Sequence, residues 1–297
     1  MDKSLIEFGV ETKIPTGRLY IVPTPIGNLE DMTYRAVATL QQVDRILAED
    51  TRHTRRLCHH FEIDTPLRSF TDHNAPRRLP EALAELEAGK QLALASDAGM
   101  PGVSDPGIPL VRACIEAGVE VEVLPGASAL LPALVGSGLS EDGSFLFGGF
   151  LPRKSGQRQK RFTHLAGCGI TMLFFESPRR IIAALNDLAT ALGPERKVVV
   201  ARELTKIYES FHRGTALTLV EWFKQHSPRG EMVLVVEGGS MALPELDAGA
   251  IKRLINQVID QGGRPREMAR KLATAANLSR SEAYAMIQDR RDAQQEN

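Results

Sequence analysis

Short apolar runs alternate with amphipathic stretches through the first part of the chain. Strand-like runs fall at residues 18–23 (RLYIVP), 44–48 (DRILA), 91–95 (QLALA) and 119–124 (VEVEVL). Between them, helical spacing occupies 34–42, 51–61, 80–88 and 111–117. Asp31 or Thr33 is placed to cap the first helix, and Gly89 and Gly118 close two others. Strand and helix in alternation predict a mainly parallel sheet with helices on both faces. After a loose stretch near residue 140 the theme repeats. Strands are predicted at 144–150 (SFLFGGF), 170–175 (ITMLFF), 197–201 (KVVVA), 209–213 and 232–237, with helices over 181–192 and through 222–225. The segment 238–244 reads as a linker, followed by a helical tail. There 266–274 forms one helix, Asn277 sits in a turn, and Ser279 and Glu282 are the ends of a capping box that opens another, in the manner of a helix-turn-helix. The predicted organisation is an arm over 1–16, α/β domains over 17–138 and 139–240, and a helical basic tail over 241–297.

A chain of 297 residues with 43% hydrophobic and 25% charged positions can bury the cores that two α/β domains need. Cys58, Cys114 and Cys168 are scattered, without a disulfide framework or CxxC spacing, which points to a reducing cytoplasm. The run Cys58-His59-His60 has no partner cluster and reads as a polar helix face, so no metal is expected. The first sixteen residues are not a signal peptide, and no apolar run reaches the roughly 18 residues of a membrane span. With a net charge of −1, nucleic acid would have to be held by local patches. Three stand out. Arg52, Arg55 and Arg56 lie together in 51–61, beside His53. Arg153, Lys154, Arg158, Lys160 and Arg161 fall close together with no acid between them. The tail has nine Lys or Arg against four Asp or Glu over 248–291. A solvated helix face is the competing reading for each patch.

The stretch 92–110, LALASDAGMPGVSDPGIPL, carries the most distinctive chemistry. It is a strand end followed by two acidic glycine turns. Similar Gly/Pro turns follow the first strand (25–28) and the fourth (125–129), and parallel strands bring such ends to one edge, where ligands bind. Asp97 and Asp105 would repel phosphate but accept hydrogen bonds from ribose hydroxyls or face a cation. No GxxxxGK[ST] run occurs, and the turn after the first strand, PTPIGN, is not GxGxxG. The residues thus favour a nucleoside-type ligand without phosphates, and S-adenosylmethionine meets those terms. On this stretch alone, ordinary punctuation of α/β loops stays open.

Taken in series, VPTPIGNLEDMT (22–33), AEDTRHTRRL (48–57), SDAGMPGVSDPG (96–107), LPGASA (124–129), GFLPRK (149–154), FFESPRR (174–180), ARELTK (201–206) and Gly230-Glu231 resemble one family. It is the bacterial ribosomal RNA small subunit methyltransferase I branch of the tetrapyrrole methylase superfamily. The resemblance runs from about residue 18 to 238 and includes the helical tail. It implies two αβα domains with S-adenosylmethionine in the cleft between them, a homodimer, and 2′-O-methylation of a cytidine ribose in the decoding region of 16S rRNA. It also implies a cofactor site built from Pro25, Gly27 and Asn28; from Asp97, Ala98, Gly99, Ser104, Asp105 and Gly107; from Gly126, Ser128 and Ala129; and from Glu231 and Met232. The eight Arg and Lys of the first two patches are the expected RNA-binding residues. A base for the ribose hydroxyl is sought in ARELTK or FFESPRR, and Glu203 and Lys206 are preferred over Glu176 and Arg179. Two alternatives remain: a small-molecule methyltransferase acting on a porphyrinoid, and a non-catalytic RNA-binding module on the same fold.

Overall fold

The computed structural model describes residues 17–166, 169–239, 248–263, 265–276 and 280–295, and the chain divides into two compact units between residues 238 and 239. The expected N-terminal arm, Cys168, Asn277 and Ser279 lie outside the described residues.

The first sheet holds β1 (Arg18–Val22), β2 (Arg45–Ala48), β3 (Leu67–Ser69), β4 (Gln91–Ala95) and β5 (Glu120–Val123), all parallel, in the order β3-β2-β4-β1-β5. Side chains alternate across it. Leu92 and Leu94 of β4 enter a core with α3 (Ala75–Glu87) and α4 (Ile108–Glu116), while Ala93 and Ala95 enter a second core with α1 (Tyr34–Gln42) and α2 (Thr51–His60). Thr33 caps α1, its hydroxyl accepting the Ala36 N–H at 3.1 Å. The neighbouring strands β1 and β4 send their connections to opposite faces, which opens a crevice at their carboxyl ends.

The next helix, α5 (Leu130–Ser137), leaves β5 but packs on the second sheet. That sheet contains β6 (Phe145–Phe150), β7 (Thr171–Glu176), β8 (Lys197–Arg202), β9 (Ser210–Thr215) and β10 (Met232–Val236), in the order β6-β7-β10-β8-β9. Only β6 and β7 pair in parallel; the other neighbours are antiparallel. One face is covered by α6 (Ser155–Ala166), α7 (Ile181–Leu192) and α8 (Ala216–Gln225), around Phe162, Phe174, Leu185, Phe223 and Leu234. The other face offers Leu173, Val199, Ala201, Val233 and Val235 to Leu130, Ala133 and Leu134 of α5. The helix α5, which precedes the boundary after residue 138 expected from the sequence, thus packs with the second sheet, and Ile26 and Val103 of the first half pack against the same core.

In the second unit, α9 (Ala248–Asp260), α10 (Pro265–Ala276) and α11 (Arg280–Gln295) enclose a core of their own, with Ile255, Val258, Met268, Leu272, Ala283 and Ile287. No helix among the described residues is long and apolar enough to cross a membrane.

Candidate functional site

The loops at the ends of β1 and β4 are joined to each other by hydrogen bonds at the floor of the crevice. Thr24 and Gly99 exchange backbone bonds in both directions, at 3.0 and 2.9 Å. The Thr24 hydroxyl donates to the Ser96 carbonyl at 3.0 Å, and the Ser96 hydroxyl donates to the Gly99 carbonyl at 3.0 Å. Gly99 makes this possible with φ 82°, a conformation that suits residues lacking a Cβ. Asp97 ties in the end of β2, its Oδ1 accepting the Asp50 N–H at 3.0 Å. The loops after β1, β2 and β4 are thereby one piece.

Above that piece, a cavity of about 330 Å³ lies between the two halves of the first unit, within the range of small-molecule sites. Its first-half wall includes Ala98, Gly99, Ser104, Asp105, Ser128 and Ala129; Glu231 and Met232 come from the other half. Most of the remaining wall is apolar: Ile26, Met100, Val103, Phe150, Phe175 and Leu204. Burial, then the neighbouring Glu49 carboxylate, push the Asp105 carboxyl up to about 6. Glu176 also borders the cavity. Its side chain is fully buried, accepts the Ser177 N–H at 2.8 Å and pairs with Arg180 at 3.0 Å. Burial still holds the Glu176 carboxyl above its ordinary value. The room is mostly apolar, with backbone edges and three carboxylates at its wall, of which Asp105 and Glu176 are held above their ordinary values by burial. It suits a nucleoside better than a phosphate ester.

A second cavity of about 460 Å³ adjoins the first and shares Ile26, Ala98 and Glu231 with it. Pro25, Gly27, His53, Thr54, Arg56, Asp97 and Lys206 are among its walls. Lys206 Nζ lies 3.0 Å from Glu203 Oε1 and 3.0 Å from Glu231 Oε2, while the Glu231 N–H donates to Glu203 Oε1 at 2.9 Å. Burial acts to lower the Lys206 pKa, but the two carboxylates outweigh it and raise the value, so the amine stays an ammonium. Burial acts to raise Glu203, but the Glu231 N–H and the ammonium outweigh it and hold the carboxyl below its usual range. Such a carboxylate is a weak base. A Cβ at Gly27 would collide with the Lys206 stem, so glycine is what lets the lysine cross.

The residues expected at one cofactor site thus fall into three groups. Ala98, Gly99, Ser104, Asp105, Ser128, Ala129, Glu231 and Met232 line the first cavity. Pro25, Gly27 and Asp97 line the second. Asn28, Gly107 and Gly126 line neither. The Asn28 N–H donates to Thr205 Oγ1 at 3.1 Å, linking the two halves, and a Cβ at Gly107 or Gly126 would strike Leu94 or Pro23. Of the pair expected to act as catalysts, Lys206 reaches the second cavity and Glu203 reaches neither. Sequence reading missed the apolar wall of the first cavity. Phe150 and Phe175 fall within GFLPRK and FFESPRR, at apolar strand ends, but nothing in the sequence marks them as facing a ligand.

Among the expected RNA-binding residues, Arg52, Arg55 and Arg56 project from α2 into solvent and with His59 line a shallow groove. Arg52 also pairs with Asp50 at 3.0 Å. Arg153, Lys154, Lys160 and Arg161 are exposed. Arg158 is a correction: it is 6% exposed, pairs with Asp187 at 2.6 Å, and donates to the Pro152 and Arg153 carbonyls. It sits on the inward face of α6 and holds the basic loop in shape. No group of three His, Cys, Asp or Glu among the described residues is placed to hold a metal.

The model of the family "Tetrapyrrole (Corrin/Porphyrin) Methylases" matches residues 18–220. A ribosomal RNA small subunit methyltransferase I from Synechocystis sp. is 47% identical over 91% of this chain and 97% of its own length. One of the same name from Streptococcus pyogenes serotype M3 is 42% identical over 96% of this chain and 99% of its own. Among solved structures, a uroporphyrin-III C-methyl transferase from Thermus thermophilus complexed with S-adenyl homocysteine superposes with a TM-score of 0.53. It covers 74% of this chain and 97% of that one at 17% identity, a likeness of fold.

Proposed function

We propose that this chain, which belongs to the ribosomal RNA small subunit methyltransferase I family of the tetrapyrrole methylases, methylates the ribose 2′-oxygen of a cytidine in the decoding region of 16S rRNA. The coarser statement, an S-adenosylmethionine-dependent methyltransferase of small-subunit rRNA, rests on relatives matched over nearly their whole length. The observation that carries the reading to this chain's own residues is the nearly apolar cavity at the strand ends, with Asp105 inside it and a charged cavity next door.

When bound, S-adenosylmethionine supplies a methyl group on a sulfonium, an electrophile that needs no metal. The chain's own residues supply the rest. Gly99, Ser128 and Ala129 offer backbone to an adenosine, Asp105 faces ribose hydroxyls or the cation, and Phe150, Phe175, Leu204 and Met232 keep water out. The exposed cations of α2 and of 153–161 face the RNA phosphates. A homodimer acting on the rRNA within the small subunit completes the reading.

Incubation with labelled S-adenosylmethionine and undermethylated small subunits, free rRNA or a porphyrinoid tests it. Label should enter RNA as an alkali-stable dinucleotide, the mark of a blocked 2′-oxygen. Transfer to porphyrinoid alone would overturn the reading, and label at a base position would overturn its 2′-O part.

A further inference from the structure

We propose that the second cavity is the subsite for the acceptor nucleotide, with Asp97 taking the proton of the attacking ribose hydroxyl; this rests on the RNA-methylating function above. Transfer requires donor and acceptor to occupy contiguous space, and the two cavities share Ile26, Ala98 and Glu231. Their chemistry differs in the direction the reaction demands. The first is mostly apolar; the second adds Arg56, His53 and Lys206.

Arg56 lines both the second cavity and the groove with Arg52, Arg55 and His59. The cationic face of α2 is thus continuous with the cavity mouth. An RNA strand whose phosphates follow α2 can deliver one nucleotide, turned out of its stack, into a space of about 460 Å³. Of the two carboxylates that line this space, Glu231 is engaged with Lys206. Asp97 is not. Its Oδ1 is fixed by the Asp50 N–H, and its chain neighbour Ala98 belongs to both cavities, which sets Asp97 at their junction. His53 borders the second cavity only, from the first turn of α2. In the step, the ribose oxygen forms its bond to the methyl carbon as the sulfur–methyl bond breaks. The electron pair of that bond stays on sulfur, leaving a neutral thioether, and the hydroxyl proton passes to the Asp97 carboxylate.

The full-length protein and four variants, Asp97→Asn, Arg56→Glu, Leu29→Trp and His53→Ala, test this through three readouts. These are calorimetric affinity for S-adenosylhomocysteine, filter-binding affinity for undermethylated 16S rRNA without donor, and single-turnover methyl transfer. Leu29 is partly exposed at the second cavity, so a tryptophan there narrows it without entering the core. All four variants should bind S-adenosylhomocysteine within about threefold of wild type, which also reports folding. Arg56→Glu should weaken RNA binding about tenfold and flatten its salt dependence. Leu29→Trp should slow transfer about tenfold. Asp97→Asn should keep RNA affinity and slow transfer by about a hundredfold or more, the scale of a lost general base. A larger loss with His53→Ala than with Asp97→Asn would overturn the assignment of the base. A loss of S-adenosylhomocysteine affinity with Asp97→Asn beyond tenfold would return that residue to the donor. If wild type methylates RNA and all variants match it, the subsite alone fails. If wild type methylates no RNA, the parent function fails and the subsite with it.

Discussion

The first cavity takes its walls from both halves of the α/β unit, whereas the second takes nearly all of its walls from the first half and borrows only Lys206 and Glu231 from the other. One is closed by apolar side chains that meet across a joint; the other is cut into a single stitched block of loops. A small ligand gripped by two halves loses water on every side, which suits charge that must disappear in a transition state. A site on one rigid block with a basic helix beside it can instead receive part of a macromolecule without the halves having to open. The difference separates holding a donor from admitting an acceptor.

The strongest way to break that division is to fill the first cavity alone. Ala129→Phe places a ring in the donor space at the start of α5. Donor affinity should fall about a hundredfold, some 2.7 kcal/mol, while RNA affinity stays within about threefold by filter binding. Loss of both would mean that the cavities work as one.

Next in size is the borrowed cation. Lys206→Met leaves Glu203 and Glu231 facing each other without their ammonium. Turnover should fall about tenfold and the thermal midpoint by a few degrees, corresponding to about 1–2 kcal/mol for a partly exposed pair. A second change, Glu203→Gln, should recover most of the stability and little of the turnover. Recovery of both would make the lysine purely structural.

The smallest effect is a pH dependence. Folding raises the Asp105 carboxyl to about 6, so its contribution to stability is fully present below the ordinary carboxylate pKa and is lost as pH rises through about 6. Ligand binding runs the opposite way. Above about 6 the residue is an anion, and a sulfonium should bind it more tightly. Affinity for S-adenosylmethionine should rise several-fold between about pH 5 and 7, and that for S-adenosylhomocysteine, whose sulfur is neutral, much less. Asp105→Asn should flatten the first profile onto the second.

Hydrophobic period was enough to read β4, α1 and α7, whose boundaries fall where the apolar spacing starts and stops. It failed for β3, three residues between turn formers, and for the start of α3. Pro76 and Pro80 look like breakers there, yet Pro76 occupies the first turn, where free N–H groups are normal, and Pro80 costs one hydrogen bond soon after it. Strand direction in the second sheet was invisible, because buried runs such as VVVA read alike in parallel and antiparallel pairs. The site was legible as a set of turns but not as two rooms. Asp97 and Ala98 are adjacent in one motif, and only the backbone path after β4 sends the first to the second cavity while the other borders both. Arg158 shows the same limit. Five clustered cations read as one surface until helix phase turns one of them inward onto Asp187.

The placement of α5 has a practical corollary for anyone dividing the molecule. Its Leu130, Ala133 and Leu134 complete the core of a sheet whose strands all follow it in the chain. A fragment ending after residue 138 would carry this helix without its sheet and leave one face of the sheet in the other fragment without Leu130, Ala133 and Leu134. A two-piece reconstitution, or a circularly permuted version, should therefore be cut in the turn before Leu130, so that the helix travels with the strands it covers.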